Sequence, residues 1–132
     1  MRRALAILLA IAMSGNGLVM LAAGRWWYGA VPGVPATGPF NPHFVKDIGA
    51  AYAVAGVGFA WPALRPRELA ARGAAAMGAL FLVLHGLIHL AEAVGDPAGL
   101  ADLARDFPGV LLPALLGAWI AWPSNRLETS HA

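Results

Sequence analysis

Residues 73–94 read GAAAMGALFLVLHGLIHLAEAV, an apolar run interrupted only by His85, His89 and Glu92. A hydrocarbon core of about 30 Å takes about 20 apolar residues at a helical rise of about 1.5 Å each, so this stretch can cross a bilayer as a helix. The helix enters near Pro66, becomes continuously apolar from Gly73 and stops at Val94, with Gly95 placed to cap its end.

Three further runs repeat the pattern. Residues 4–23 are apolar apart from Ser14 and Asn16. A second run opens at Asn41, a good N-cap, with Pro42 at the first helical position, and extends over 42–61 before Pro62. The last, 108–122, is short for a span and contains Pro113. Together these predict an all-α integral membrane protein, a four-helix bundle forming one domain over residues 1–132. Composition agrees: 59% of residues are hydrophobic and 12% charged, too few polar side chains to cover a soluble surface. A mean hydropathy of +0.65 points the same way. The first run also has features of a secretory signal, with Arg2 and Arg3 before it and Leu21-Ala22-Ala23 at its end. Its length exceeds a usual signal core, and it is read as a span.

Net charge is only +2 and the basic residues are scattered, so they report topology, with no nucleic-acid partner. Arg2, Arg3, Arg65, Arg67, Arg72 and Arg126 fall on one side of a four-span chain. Arg25, Lys46 and Arg105 fall on the other with Asp96, Asp102 and Asp106. The first side is expected to be cytoplasmic, which places both termini there. Trp26, Trp27 and Tyr28 mark the outer interface, and Trp61 and Trp122 the inner one. Between the first two spans, VPGVPATGPF over 31–40 is dense in proline and glycine and reads either as an ordered cover over the outer surface or as a plain connection. After Asp96-Pro97, the spacing of Leu100, Leu103 and Phe107 predicts a short interfacial helix.

Ionisable side chains within a span are costly and need a partner or a purpose. His85, His89 and Glu92 share one helical stripe within roughly 60° of arc. His43 and Asp47 share a face of the second span. Measured from the outer ends of two antiparallel helices, Asp47 and His89 both lie about 8 Å deep and His85 about 14 Å, with His43 and Glu92 near the surface. These depths predict that His43, Asp47, His85, His89 and Glu92 converge, with Asp47 level with His89 and His43 level with Glu92. Asn16 reaches the depth of His85. Tyr52 projects about 140° from Asp47 and falls outside this set.

Three imidazoles and two carboxylates suit a transition metal ion such as zinc, iron or copper. With no cysteine in the chain, thiolate sites, disulfides and thiol catalysis are excluded. The alternatives are buried His–carboxylate pairs that only fix helix packing or relay protons, and a haem or quinone pocket. Haem fits less well, because His43 is too near the surface to oppose His85 across a ring. His131 lies in the polar tail. Gly15-Asn16-Gly17 lies within an apolar helix and is no phosphate loop, and no serine has a base beside it. Gly49, Ala53, Gly56 and the 74–78 region offer small residues for close helix contact.

The stretch VPGV at 31–34 followed by TGPFNPHFVKDIG at 37–49 resembles a signature of small four-span bacterial inner-membrane proteins, an uncharacterised family. The resemblance implies bacterial origin and an inner-membrane location, and it implies no activity. His43 and Asp47 lie inside it. The functional expectation is therefore a small membrane protein with a His/carboxylate metal or redox site at its outer face. It would serve as a small oxidoreductase, or as an accessory subunit of one beside other membrane subunits or further copies of itself. The alternative is a structural or assembly subunit. The cytoplasmic half of the third span, 73–84, carries no polar side chain, which argues against a channel or transporter.

Overall fold

The computed structural model describes residues 1–123, and within them the chain is all helix and turn, with no strand. Helix α1 runs Arg2–Ala30, α2 Pro42–Leu64, α3 Leu69–Ala93, α4 Gly99–Asp106 and α5 Leu112–Ala121. Four helical segments are long and apolar enough to cross a membrane, the fourth being the continuous run Gly99–Ala121. Each long segment turns large apolar side chains outward, among them Ile11, Val54, Met77 and Leu115. No charged or polar residue is fully buried among the described residues. Such an inside-and-outside apolar bundle is stable only with lipid around it.

The ends of α2 and α3 follow the local chemistry expected of them. Asn41 Oδ1 accepts the backbone N–H groups of His43 at 3.0 Å and Phe44 at 3.1 Å, with Pro42 where its missing N–H costs nothing. Gly95 takes a φ of +87° just after α3, the left-handed stop that a glycine allows.

Three boundaries differ from expectation. Pro62 does not end α2, which continues to Leu64, because a proline so near the C-terminus removes only one hydrogen bond from a helix about to finish. Helix α1 passes through Ala23 with a local break (φ −137°, ψ 42°) and continues to Ala30. The short fourth run is not isolated. Helix α4 leads through a π turn, Phe107–Leu111, directly into α5, and the prolines at 108 and 113 sit where that widened turn tolerates a missing N–H. The predicted interfacial helix is thus the first two turns of the last span, and the combined run is about 34 Å long at helical rise, enough to cross.

The helices pack in order, α1 on α2, α2 on α3 and α3 on α5, with α5 returning to touch α1. The α1–α2 seam is built from small residues. A Cβ on Gly17 would lie 2.5 Å from the Gly49 carbonyl oxygen and 2.6 Å from the Ala53 nitrogen. Gly56 meets Ser14 as closely. Only glycine lets the two backbones approach so near. Phe59 is fully buried at the centre, its ring against Gly78 of α3 and Gly117 of α5. Arg2 donates to the Trp122 carbonyl at 2.8 Å and lies over the Trp119 ring, so the first and last helices begin and end at the same face.

Candidate functional site

At the opposite end, which carries the Pro/Gly loop, the polar groups of α3 and α4 meet. His89 Nδ1 lies 2.9 Å from Asp106 Oδ2. Arg105 holds the same carboxylate with two contacts, Nε to Oδ1 at 2.8 Å and a terminal nitrogen to Oδ2 at 3.1 Å. It also reaches Asp102 at 2.5 Å. A carboxylate gripped by a guanidinium only accepts hydrogen bonds, so Nδ1 of His89 donates to it, and in the neutral tautomer this fixes, Nε2 is the nitrogen that can accept or ligate. The His85 ring stands nearly perpendicular to His89, with centroids 4.9 Å apart. Beyond it, Tyr52 from α2 and Phe81 surround His85 at 5.8 and 6.1 Å between ring centres. The result is a file running from Arg105 at the surface through Asp106, His89 and His85 to the buried Tyr52.

The loop covers this end. It contains one 3₁₀ turn, Val34–Thr37, and Tyr28 fastens it by donating to the Gly38 and Pro35 carbonyls. Phe40 packs edge-on against Tyr28 at 5.4 Å, with the Arg25 guanidinium 4.9 Å above its ring. Gly33 has a φ of +87° and lies against the Arg105 guanidinium, where a Cβ would come within 2.6 Å. Of the two readings open for 31–40, an ordered cover describes it. Its Gly33 contact places it on the His89–Asp106–Arg105 cluster.

The five residues expected to converge are divided. His43 and Asp47 pair with each other at 3.4 Å, four residues apart on α2, with side chains 88% and 61% exposed. Both side chains lie on an exposed face of α2, and among the described residues neither the Asp47–His89 nor the His43–Glu92 pairing forms. Only His85 and His89 come together. Glu92 is exposed and one turn beyond His89. No group of three or more His, Cys, Asp or Glu side chains is arranged to hold a metal ion among the described residues. His131 and Arg126 lie outside the described residues.

Three participants escaped sequence reasoning, Arg105 and Asp106 of α4 and Tyr52 of α2. Asp106 counts only as an outer-side charge while the last span is taken to start at Pro108. With helix extending back to Gly99, it comes level with His89. Tyr52 is set aside because it is far from Asp47 around α2. Since Asp47 faces outward, that same angle is what turns Tyr52 inward to His85. Asn16 has a separate role, accepting from Trp27 Nε1 at 2.8 Å. Eleven residues span about 16 Å in a straight helix, beyond the joint reach of an indole and an amide, so the break at Ala23 brings the two together.

The chain matches no protein family, no curated protein and no solved structure.

Proposed function

We propose that this protein is an accessory subunit of a membrane oxidoreductase in the bacterial inner membrane, with a transition-metal site at His85 and His89. The observation that carries this reading is the hydrogen bond from His89 Nδ1 to Asp106. A carboxylate on one ring nitrogen, leaving the other free, is how proteins orient histidine for metal. Histidines four apart on a helix can share one ion, and Glu92, one turn on, is the nearest further donor on that stripe. On α3 and α4 the carboxylates at this end, Glu92, Asp102 and Asp106, outnumber Arg105, which favours a cation. His43 and Asp47, turned outward, take no part.

The arginine-rich end, with Arg2, Arg65, Arg67 and Arg72, is cytoplasmic in this reading and the loop end periplasmic. A metal or electron would enter from the periplasmic side, beneath the loop. The resemblance to small four-span bacterial proteins supports the location.

A second reading has an observation of its own. Two imidazoles are fewer donors than a structural metal site uses, and the His89–Asp106 bond also ties α3 to α4. On that reading the cluster is a clamp, and the protein is a structural subunit.

Elemental analysis of the purified protein, with a visible spectrum for haem, separates the two. The metal reading expects a stoichiometric ion that His89→Ala removes and that Asp106→Asn holds about 10–100-fold more weakly. Wild-type protein free of metal after several preparations would end it. Reporter fusions at Gly33 and at Arg67 check orientation, with external and cytoplasmic readings expected.

A further inference from the structure

We infer that the arginine-rich end of the bundle binds one anionic phospholipid in a groove between α1 and α2. The groove is a cavity of about 200 Å³ whose lining is apolar: Ile7, Ala10 and Ile11 from α1, and Ala60, Ala63 and Leu64 from α2. It opens where large side chains are missing, since three of its six lining residues are alanine. Leu64 also borders an open surface hollow in the α2–α3 turn, with Arg65, Pro66, Arg67 and Glu68. An apolar slot thus leads to a cationic rim through one shared side chain.

One of the two arginine charges at that rim, Arg67, is wholly available. Glu68 is engaged by Trp61 Nε1 at 2.8 Å and by Arg65 at 3.7 Å. Arg67 has no carboxylate partner among the described residues. Arg3 lies one helical turn before Ile7 on the same face of α1, so the helical repeat sets a third cation at the mouth of the slot. Arg2, by contrast, is spent on Trp122 and Trp119. Guanidinium groups suit a phosphate diester in geometry as well as charge.

A free phosphate has the same chemistry at the rim, and the slot decides between them. It offers apolar contact over about one helical turn, some 6 Å, which fits the upper methylenes of an acyl chain and gives nothing to an inorganic ion. The site lies at the opposite end from His85 and His89 and does not depend on what they bind.

Native mass spectrometry of the full chain, released from detergent with added lipid, tests the inference. Phosphatidylglycerol should remain as a one-to-one adduct, and phosphatidylcholine of the same chains should bind at least tenfold more weakly. At about fivefold per arginine near a membrane surface, Arg65→Gln with Arg67→Gln should weaken the phosphatidylglycerol adduct about 25-fold, and these exposed positions leave folding intact. Ala60→Leu should fill the slot and lower the adduct with the rim unchanged, its fold checked by circular dichroism. Equal binding of both lipids, or no effect of the arginine pair, would overturn the inference. So would displacement of the lipid by millimolar inorganic phosphate, since the slot would then contribute nothing.

Discussion

The α1–α2 seam and the α3–α4 seam hold their helices together in opposite ways. The first is dry and made of glycine and alanine, with backbones so close that Gly17, Gly49 and Gly56 have no room for a Cβ. The second is held at its loop end by a polar triplet, Arg105, Asp106 and His89, beneath the Gly33 loop. In lipid there is no hydrophobic gain from bringing apolar helices together, so close packing and polar contacts are the available forces. This molecule uses one force on each seam. A dry seam fails by size, and a polar seam fails by loss of a partner.

The largest effect expected is on the dry seam. Gly17→Leu would drive a side chain into the Gly49 carbonyl and the Ala53 nitrogen, and neither backbone atom can move without shifting a helix. Overpacking typically costs about 1–3 kcal/mol, and a clash with two backbone atoms belongs at the upper end of that range, read as a lower thermal midpoint in detergent or loss of folded protein. Gly15→Ala, two residues away and facing open space, should leave the midpoint within about 0.5 kcal/mol of wild type. Equal damage from both would mean that the close approach at Gly17 is not what sets the loss, since leucine and alanine both favour helix over glycine.

On the polar seam, Asp106→Ala leaves His89 Nδ1 and Arg105 without their shared acceptor. The two side chains of the His89–Asp106 pair are 25% and 13% exposed, so the loss should be about 1–3 kcal/mol, below that of a fully buried pair. His89→Ala should cost a similar amount, and the double variant little more than either, because both changes remove one contact. Additive losses would show that the pair does not act as a unit.

The dry seam was legible in the sequence and the polar one only half so, for a physical reason. Small residues at helical spacing state their own use, and Gly49, Ala53 and Gly56 pack as their spacing implied. Three of the four crossings were equally plain, since length and apolarity are read without knowing what a helix touches; the fourth read as short because its first two turns were taken for a separate helix. Polar partners are different, because helical rise gives depth and not the direction a face points. Depth placed Asp47 level with His89, yet the two lie on faces that do not meet. His85 and His89 could be paired because they share one helix. Asp106 was hidden by a helix boundary, since Pro108 reads as a start where the chain makes a π turn instead.

Smaller than either seam is the bond that spans the break in α1. Trp27→Phe removes the donor to Asn16 and should cost about 1 kcal/mol, as should Asn16→Ala, with a coupling of similar size in a double-variant cycle. No coupling would mean that the break at Ala23 is held by the loop through Tyr28 and Phe40.

The smallest effect belongs to His43, and it bears hardest on how the polar residues divide. His43 and Asp47 form an i, i+4 pair with both side chains largely outside the bundle. Pairs of that kind contribute less than about 0.5 kcal/mol, because both groups keep most of their own solvation and the geometry is loosely held. His43→Ala should therefore shift the midpoint hardly at all, and should leave any metal bound at His85 and His89 in place. Two departures would be informative in different ways. Loss of metal with little change in stability would return His43 to the site and require the loop end of α2 to rotate toward α3. A stability loss matching that of His89→Ala would mean that the outward face of α2 is covered in the native assembly. Cross-linking from a cysteine introduced at Val54, lower on that exposed face, would then identify what covers it.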